Sequence, residues 1–299
     1  LYLLMEKIKV DGNRVDITKM TTSDNSGEML TGGYITKSDK TTGGDPVAWY
    51  LTNAAFIHHS PKPEEVTSQQ NNYIKKVFTD LNTAASARNN SFTNGIPSLI
   101  DIPSFIDFML MNELFSNPDG YQYSTFFHKD RNGKLRAGPI WDFNLTIGND
   151  LFQWGYNRSL TYWHQFNTEN VGAPFWQNLF YNTTFRCYLS KRWAELTSPG
   201  QAMNYNELVQ LIDRTAALIA ETVPREQTKW GNVAGHTTNI ANMKTWLTAR
   251  MKWMTENYGS YDACTNVVVP QLVISKIHYN PQSTAYIAAD SLEFIEITN

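Results

Sequence analysis

Two aspartates, Asp119 and Asp142, flank a segment whose sequence predicts a β-hairpin. The strands are expected at 123–129 and 134–141, and the turn between them contains Asn132-Gly133, a pair that tolerates the positive φ values of a tight turn. Because a hairpin returns its outer ends to the same place, the two carboxylates are predicted to be neighbours. Such a pair suits phosphoryl transfer, in which one carboxylate orients a hydroxyl group and another holds a divalent cation.

Both aspartates also have a purely structural explanation. Asp119 lies in Asn-Pro-Asp-Gly, where aspartate is favoured for local hydrogen bonding, and Asp142 could cap the turn that follows a strand. Asp142 is flanked by Trp141 and Phe143, and a carboxylate between large apolar groups needs a partner. The position of both residues at the ends of one hairpin favours the chemical interpretation. Glycoside hydrolysis by paired acids stays open, because the sequence does not give their separation.

Several motifs around these aspartates resemble the CotH kinase family, atypical secreted kinases named after a spore-coat protein. The resemblance covers roughly residues 1–260 and implies an α+β, two-lobed protein-kinase-like fold, with a β-rich N-lobe truncated at its start and a helical C-lobe. The matching residues are YLLMEK at 2–7, Gly32-Gly33-Tyr34 leading to Lys37, Asn117-Pro118-Asp119, Ser124-Thr125-Phe126, and Trp141-Asp142-Phe143-Asn144 with Gly148-Asn149.

The resemblance implies a base and a metal site. Asp119 is expected to act as the general base and Asp142 to bind Mg²⁺. Ser124 stands five residues after the base, where conventional kinases have an asparagine ligand, and it is expected to bind the metal together with Asn149. Asn144 occupies the third position of a DFG-like triplet and is expected to contribute to cofactor binding, as is Ser124.

The resemblance also implies an ATP site built from the N-terminal strands. Lys37 is expected to grip the phosphates and to pair with Glu6 across neighbouring strands. Lys7 is a rival phosphate ligand, and Lys9 is another. The sequence contains no Gly-rich phosphate loop of the GxGxxG type.

The composition excludes some classes of protein. The chain has 299 residues, 41% of them apolar, with a net charge of −3 and no basic stripe, which argues against a nucleic-acid partner. The sequence contains no apolar run near the ~20 residues that a transmembrane helix needs. The chain begins inside an apparent strand, without Met or a signal peptide, so we expect a longer precursor with additional domains. An Asn- and Thr-rich composition is common in exported proteins.

The composition changes after Tyr258 and suggests three regions. A lamin-tail-like β-sandwich is predicted to begin with two strands, in LVISKIHYNP and SLEFIEITN, and to be incomplete. Cys187 and Cys264 flank the helical C-terminal region and are predicted to form a disulfide; two unrelated buried thiols are the alternative. The predicted boundaries are a kinase-like domain at 1–262 (N-lobe about 1–95, C-lobe about 96–262), a linker at 263–271 and the sandwich at 272–299.

Two functions follow from these features. The first is an exported bacterial protein kinase, dependent on ATP and Mg²⁺, that phosphorylates Ser or Thr of a surface or extracellular protein. The second is a catalytically inactive, kinase-shaped surface protein used for adhesion or assembly. Ser124 in place of asparagine, the missing Gly-rich loop and the appended sandwich favour the second function.

Overall fold

The computed structural model describes residues 6–149, 160–258, 273–279, 281–283 and 287–298, and it divides into two units, Leu1–Tyr261 and Asp262–Asn299. Mixed α+β structure is confirmed. Within the described ranges no helix is long and apolar enough to cross a bilayer. The larger unit contains α1 (Gly27–Leu30), β1 (Tyr34–Ser38), β2 (Trp49–Leu51), β3 (Ala54–Ser60), α2 (Ser68–Ser86), α3 (Ile96–Leu99), α4 (Ile102–Phe115), β4 (Thr125–Lys129), β5 (Arg136–Ala137), α5 (Phe175–Tyr181), α6 (Thr183–Thr197), α7 (Tyr205–Ile219), α8 (Thr222–Trp230) and α9 (His236–Tyr258).

The five strands of this unit form one antiparallel sheet in the order β2-β3-β1-β4-β5. Side chains alternate across it. Tyr34 of β1 and Phe127 of β4 belong to the main core. Ile35 and Phe126 lie on the opposite face of the sheet. There they pack against the N-terminal segment before α1, which contributes Ile8, Val10, Val15 and Ile17. Both faces of the central strands are therefore covered, and Lys37, two residues after Ile35, lies on the face shared with the N-terminal segment.

The helices pack on the main face of the sheet. α2 begins with a capping box in which Thr67 accepts a hydrogen bond from the backbone of Gln70 and the Gln70 side chain accepts one from the backbone of Thr67. α4 has Pro103 in its first turn, and the cap Asp101 accepts a hydrogen bond from the backbone of Ser104 at 2.9 Å. These capping signals in the sequence explain why the two helices begin at Ser68 and Ile102.

A buried ion pair joins α4 to α9. Arg250 of α9 is fully buried, and its Nη2 lies 3.3 Å from Oε2 of Glu113 on α4. The same guanidinium donates to the backbone carbonyl of Glu113 and to the carbonyls of Leu160 and Tyr162. Because a buried charge needs a partner and hydrogen bonds, this network fixes the end of α4 against α9 and against residues 160–162.

The predicted hairpin is present, with a shorter second strand than expected. The turn differs from the one that the Asn-Gly pair predicts: the Gly133 N–H donates to the Asp130 carbonyl at 3.1 Å, so its central residues are Arg131 and Asn132, and of Asn132 and Gly133 only Asn132 has positive φ, +52°. The ladder pairs Phe127 with Ala137 and His128 with Arg136. The prediction of a strand through residue 141 was wrong, because Pro139 has no N–H to donate and ends the ladder after Ala137.

The smaller unit contains a two-stranded antiparallel ribbon, β6 (Val273–His278) and β7 (Phe294–Thr298). An irregularity at Ser275 shifts the register so that the isoleucine pairs fall on one face of the ribbon. Two strands alone are marginally stable in water, and the lamin-tail assignment stays a prediction. The isoleucines that share this face, all exposed, are Ile274, Ile277, Ile295 and Ile297.

Only one of the two cysteines that are predicted to form a disulfide lies among the described residues. Cys187 is buried on α6. Cys264 lies outside the described residues, so the pairing stays a prediction.

Candidate active site

Asp119 lies on a turn directly after α4. The helix ends at Ser116, which adopts a left-handed conformation with φ +53°. Asn117 then fixes the turn: its Nδ2 donates to Asn112 Oδ1 at 2.9 Å and its Oδ1 accepts from the Asp119 backbone at 3.2 Å. Asp119 is only 7% exposed. Its Oδ1 is buried and accepts no hydrogen bond from the described residues, so one carboxylate oxygen is left for a ligand.

The other oxygen of Asp119 has a cationic partner that the sequence did not suggest. Lys40 Nζ lies 3.4 Å from Asp119 Oδ2 and 5.1 Å from the centre of the Tyr123 ring. Burial raises the pKa of Asp119, Lys40 opposes that rise, and the carboxylates of Asp142 and Asp39 add to it. Asp119 is therefore a more basic carboxylate than a solvated aspartate.

Asp142 and Asp39 meet at Ser124, close to the start of the hairpin. Ser124 Oγ lies 3.4 Å from Asp142 Oδ2, and the Ser124 backbone N–H donates to Asp39 Oδ1 at 3.3 Å. Ser124 and Asp142 both adopt positive φ, +50° and +62°. Strained backbone of this kind concentrates at functional sites. The hairpin thus brings Asp142 and Ser124 together, in the electrostatic neighbourhood of Asp119.

The model for the CotH kinase protein family matches residues 1–254, about the whole of the larger unit. The chain belongs to the CotH kinase family. No curated protein and no solved structure matches it. Membership confirms the resemblance carried by the motifs around Asp119 and Asp142, and the mixed α+β structure agrees with a kinase-like fold. For a CotH kinase in general it implies ATP, a divalent metal and a protein substrate.

The environment of Asp142 in this CotH kinase differs from the one that the sequence predicted. Asp142 was expected to need a partner because it stands between Trp141 and Phe143, but it is exposed. The chain alternates here, so that the two aromatic residues are partly buried and the carboxylate points to solvent. An exposed carboxylate beside Ser124 is open to a cation without requiring one for stability.

The predicted ion pair between Lys37 and Glu6 was also wrong. Lys37 Nζ lies 3.4 Å from Asp39 Oδ2 and 2.9 Å from Asp45 Oδ2. The loop after β1 returns these two acids to the lysine, and their proximity in sequence makes the contact easy. Glu6 instead pairs with Arg14, with Oε1 and Nη2 3.3 Å apart.

Asn144 and Asn149 shape the turn that follows Asp142. Asn149 Nδ2 donates to the Asn144 carbonyl at 3.0 Å, and the Asn149 backbone N–H donates to the Thr146 carbonyl at 3.1 Å. Thr146 Oγ1 donates in turn to the Phe143 carbonyl at 2.7 Å. The amide of Asn149 is thus engaged within the turn, and its predicted role as a metal ligand stays a prediction, like the cofactor role of Asn144.

The oxygen donors around Ser124 fit a magnesium ion that also binds substrate phosphates. Asp142, Asp39 and the Ser124 hydroxyl offer hard oxygen atoms, and Mg²⁺ in kinases takes one or two carboxylates plus phosphate oxygens and water. Throughout the described parts of the chain, no group of three or more His, Cys, Asp or Glu side chains is placed to hold a metal alone. A cation here would therefore need the nucleotide for its remaining ligands.

Sequence reasoning missed Asp39 and Lys40. Both follow β1 in Lys-Ser-Asp-Lys, where charged residues at the end of a strand were the only signal. The other predicted residues of the N-terminal segment, Glu6 and Lys7, line a cavity with Asp142.

Proposed function

We propose that this CotH kinase is an exported protein kinase that transfers the γ-phosphoryl group of ATP, with Mg²⁺, to Ser or Thr of a surface or extracellular protein. The observation that carries the proposal is the contrast between two carboxylates in one site. Asp119 is buried with a raised pKa, whereas Asp142 is exposed beside Ser124. Phosphoryl transfer needs one carboxylate to receive a proton and another to hold a cation.

Asp119 suits the role of general base. Its Oδ1 accepts no hydrogen bond from the described residues, so it is free to accept one from a substrate hydroxyl. A pKa raised by burial brings the carboxylate closer to the operating pH, which improves proton transfer. Lys40, 3.4 Å from Oδ2, orients the carboxylate from its other side.

Asp142, Ser124 and Asp39 would hold Mg²⁺, which when bound neutralises charge on the transferring phosphoryl group. Lys37 is the candidate phosphate ligand, and it lies on the face of the sheet that the N-terminal segment covers. Asp39 and Asp45 fix its ammonium group. Asp39 would thus bridge the lysine and the metal site through its two oxygens.

Transfer of ³²P from labelled ATP to a mixture of surface proteins tests the proposal. We expect Asp119→Asn to lower the rate by about 10²- to 10⁴-fold, the usual loss when a general base is removed, with ATP binding retained. Asp142→Asn should weaken Mg²⁺-dependent ATP binding as well as transfer. Asp80→Asn is the matched control, because Asp80 is a surface aspartate paired with Lys76 on α2. Equal rates for all three variants would contradict the proposal.

An inactive surface protein is the second candidate. It is favoured by Lys37, whose charge is already balanced by two aspartates, and by Ser124 at the position of a stronger asparagine ligand. Thermal unfolding with and without Mg²⁺ and ATP separates the two functions, because a ligand at a hundredfold excess over its Kd stabilises by about 2.7 kcal/mol. The absence of any shift in the intact protein would support adhesion or assembly.

A further inference from the structure

A cavity of about 580 Å³ lies between α7, the first half of α9 and the turn at residues 147–149. This α7–α9 cavity shares no residue with the cavity beside Asp142. Its volume falls within the range of small-molecule sites, which combine apolar walls with a few polar groups. The described residues that line it include no Asp, Glu, Lys or Arg, and His236 is the one titratable side chain among them. Phosphate, carboxylate and ammonium groups therefore lack an ionic partner beyond a single imidazole, which favours an uncharged ligand.

Two rows of apolar side chains form the wall of the α7–α9 cavity. The residues in each row stand three or four positions apart, so each row lies on one face of its helix. The rows are Ile212, Ala216 and Ile219 on α7, and Ile240, Met243 and Trp246 on α9. Ile212 and Trp246 also pack against the main core, so the wall is preformed. Ile219 is 40% exposed and presents apolar surface that a ligand would cover.

The turn that follows Asp142 closes one end of the cavity. Ile147 and Gly148 have φ +58° and +71°, and the Ile147 N–H donates to the carbonyl of Phe115, at the end of α4, at 2.7 Å. A Cβ on Gly148 would lie 3.3 Å from both Nε1 and Cδ1 of Trp246, so the turn rests directly on the indole ring. A ligand in the cavity would therefore contact the segment that continues from Asp142.

The polar groups of the cavity are amides and an indole N–H. Asn239 and Asn242 of α9 are exposed at its rim, and each amide offers both a donor and an acceptor. Trp246 Nε1 is buried and donates to no described residue, whereas a buried indole N–H usually has a partner. A ligand with a carbonyl or hydroxyl oxygen would match these groups.

We propose that the α7–α9 cavity binds an uncharged, mainly apolar small molecule that carries one or two oxygen atoms able to accept a hydrogen bond. The inference does not depend on the kinase function proposed above, because a nucleotide and a divalent cation both need ionic groups. An extended peptide would need partners for many backbone donors and acceptors, and the polar groups here are few. A partner helix is about 10 Å across and rises about 5.4 Å per turn, so little more than one turn would fit.

Neighbouring residues of α7 provide two matched pairs of variants. Ala216 lines the cavity and the exposed Ala217 does not, so Ala216→Phe fills the cavity, whereas Ala217→Phe adds the same side chain to the surface. Ile219 lines the cavity, and Leu218, 82% exposed, lies outside it. Ile219→Asp therefore places a carboxylate at the cavity, and Leu218→Asp places one on the same helix away from it.

The experiment measures the binding of Nile red to the whole chain and to the four variants. Nile red is an uncharged, mainly apolar dye with a carbonyl oxygen, and its emission rises in apolar surroundings. We expect saturable binding to the unmodified protein. Ala216→Phe removes the space for the dye and Ile219→Asp puts a charge against it, so each should raise the Kd by about 10-fold or more. Ala217→Phe and Leu218→Asp should bind as the unmodified protein does.

The aspartate pair decides the outcome, because both positions are exposed and neither variant should unfold the protein. Equal Kd values for Ile219→Asp and Leu218→Asp would overturn the cavity assignment, and so would the absence of saturable binding to the unmodified protein. Thermal melts without dye show whether Ala216→Phe is folded and belongs in the comparison. None of these results depends on phosphoryl transfer, so a failure of the kinase proposal would leave the cavity assignment standing.

Discussion

Replacing Arg250 with methionine should destabilise the protein more than almost any other single substitution. The guanidinium is fully buried and donates to the backbone carbonyls of Glu113, Leu160 and Tyr162 as well as to the Glu113 carboxylate. Methionine removes the charge and all of these donors. Burial already raises the pKa of Glu113, and Arg250 opposes that rise. The variant therefore leaves a buried carboxylate without its cation.

The expected cost is about 3–5 kcal/mol, the range for breaking a buried ion pair by removal of one partner. At roughly 2–4 °C per kcal/mol for a protein of this size, the melting temperature should fall by about 10 °C. Part of the cost comes from the stranded charge and part from the unpaired carbonyls. Replacing Glu113 with glutamine as well removes the first part only, so Arg250→Met should cost about 2 kcal/mol less in the Glu113→Gln background.

Urea denaturation of the parent, both single variants and the double variant measures these terms. A lower pH supplies an internal check: protonation of Glu113 removes the stranded charge, so the penalty of Arg250→Met should shrink as the pH falls from 7 towards 5. A penalty below about 1 kcal/mol, or one that is the same with Glu113 and with glutamine, would show that the buried pair does not stabilise the fold in the way described.

Three further predictions concern the site and its supports. Lys40→Met should lower the free energy of unfolding by about 1 kcal/mol, the scale of a half-exposed ion pair. In an Asp119→Asn background the same substitution should cost nothing. A double-mutant cycle in urea measures both values. His164 is buried, and burial lowers its pKa to about 3. Because the pKa of histidine in the unfolded chain is about 6.5, the stability of the protein should fall as the pH drops from 6.5 towards 3. The fall should be less steep in His164→Gln. Gly32→Ala should cost more than about 2 kcal/mol, because a Cβ there would lie 1.9 Å from the carbonyl carbon of Asp130, whereas Gly12→Ala, with open space around it, should melt unchanged.

The hairpin and its two aspartates were accessible from the sequence because the signals are local. An Asn-Gly pair between apolar strands marks where the chain reverses, although the central residues of the turn are Arg131 and Asn132. The reversed chain then brings Asp142 to Ser124 beyond the paired residues. The length of the second strand was not accessible in the same way. Its apolar composition suggested pairing to residue 141, but the missing N–H of Pro139 decided where pairing stops.

Asp39 and Lys40 could not be found from local signals. They reach the site because β1 pairs with β4 in a register that sets Ser38 opposite Thr125, and no local pattern specifies a register between strands about ninety residues apart. The ion-pair partners of Lys37 could not be predicted from the sequence either, because several acidic residues were possible partners. The loop after β1 supplies Asp39 and Asp45 as the partners of Lys37, whereas Glu6 forms an ion pair with Arg14 on the N-terminal segment.

The site is therefore assembled from two differently supported parts. Asp119 is held by the helical core, because α4 ends just before it and Tyr121, two residues on, donates to Glu113 at 2.8 Å. Asp39 and Lys40 are held by the sheet, where Ser38 donates to the Gln122 carbonyl at 2.7 Å. A one-residue slip of β1 against β4 would turn every β1 side chain to the other face. The ion pair of Lys40 with Asp119 spans the two parts, so it is where a shift of the sheet relative to the helices would first alter the base.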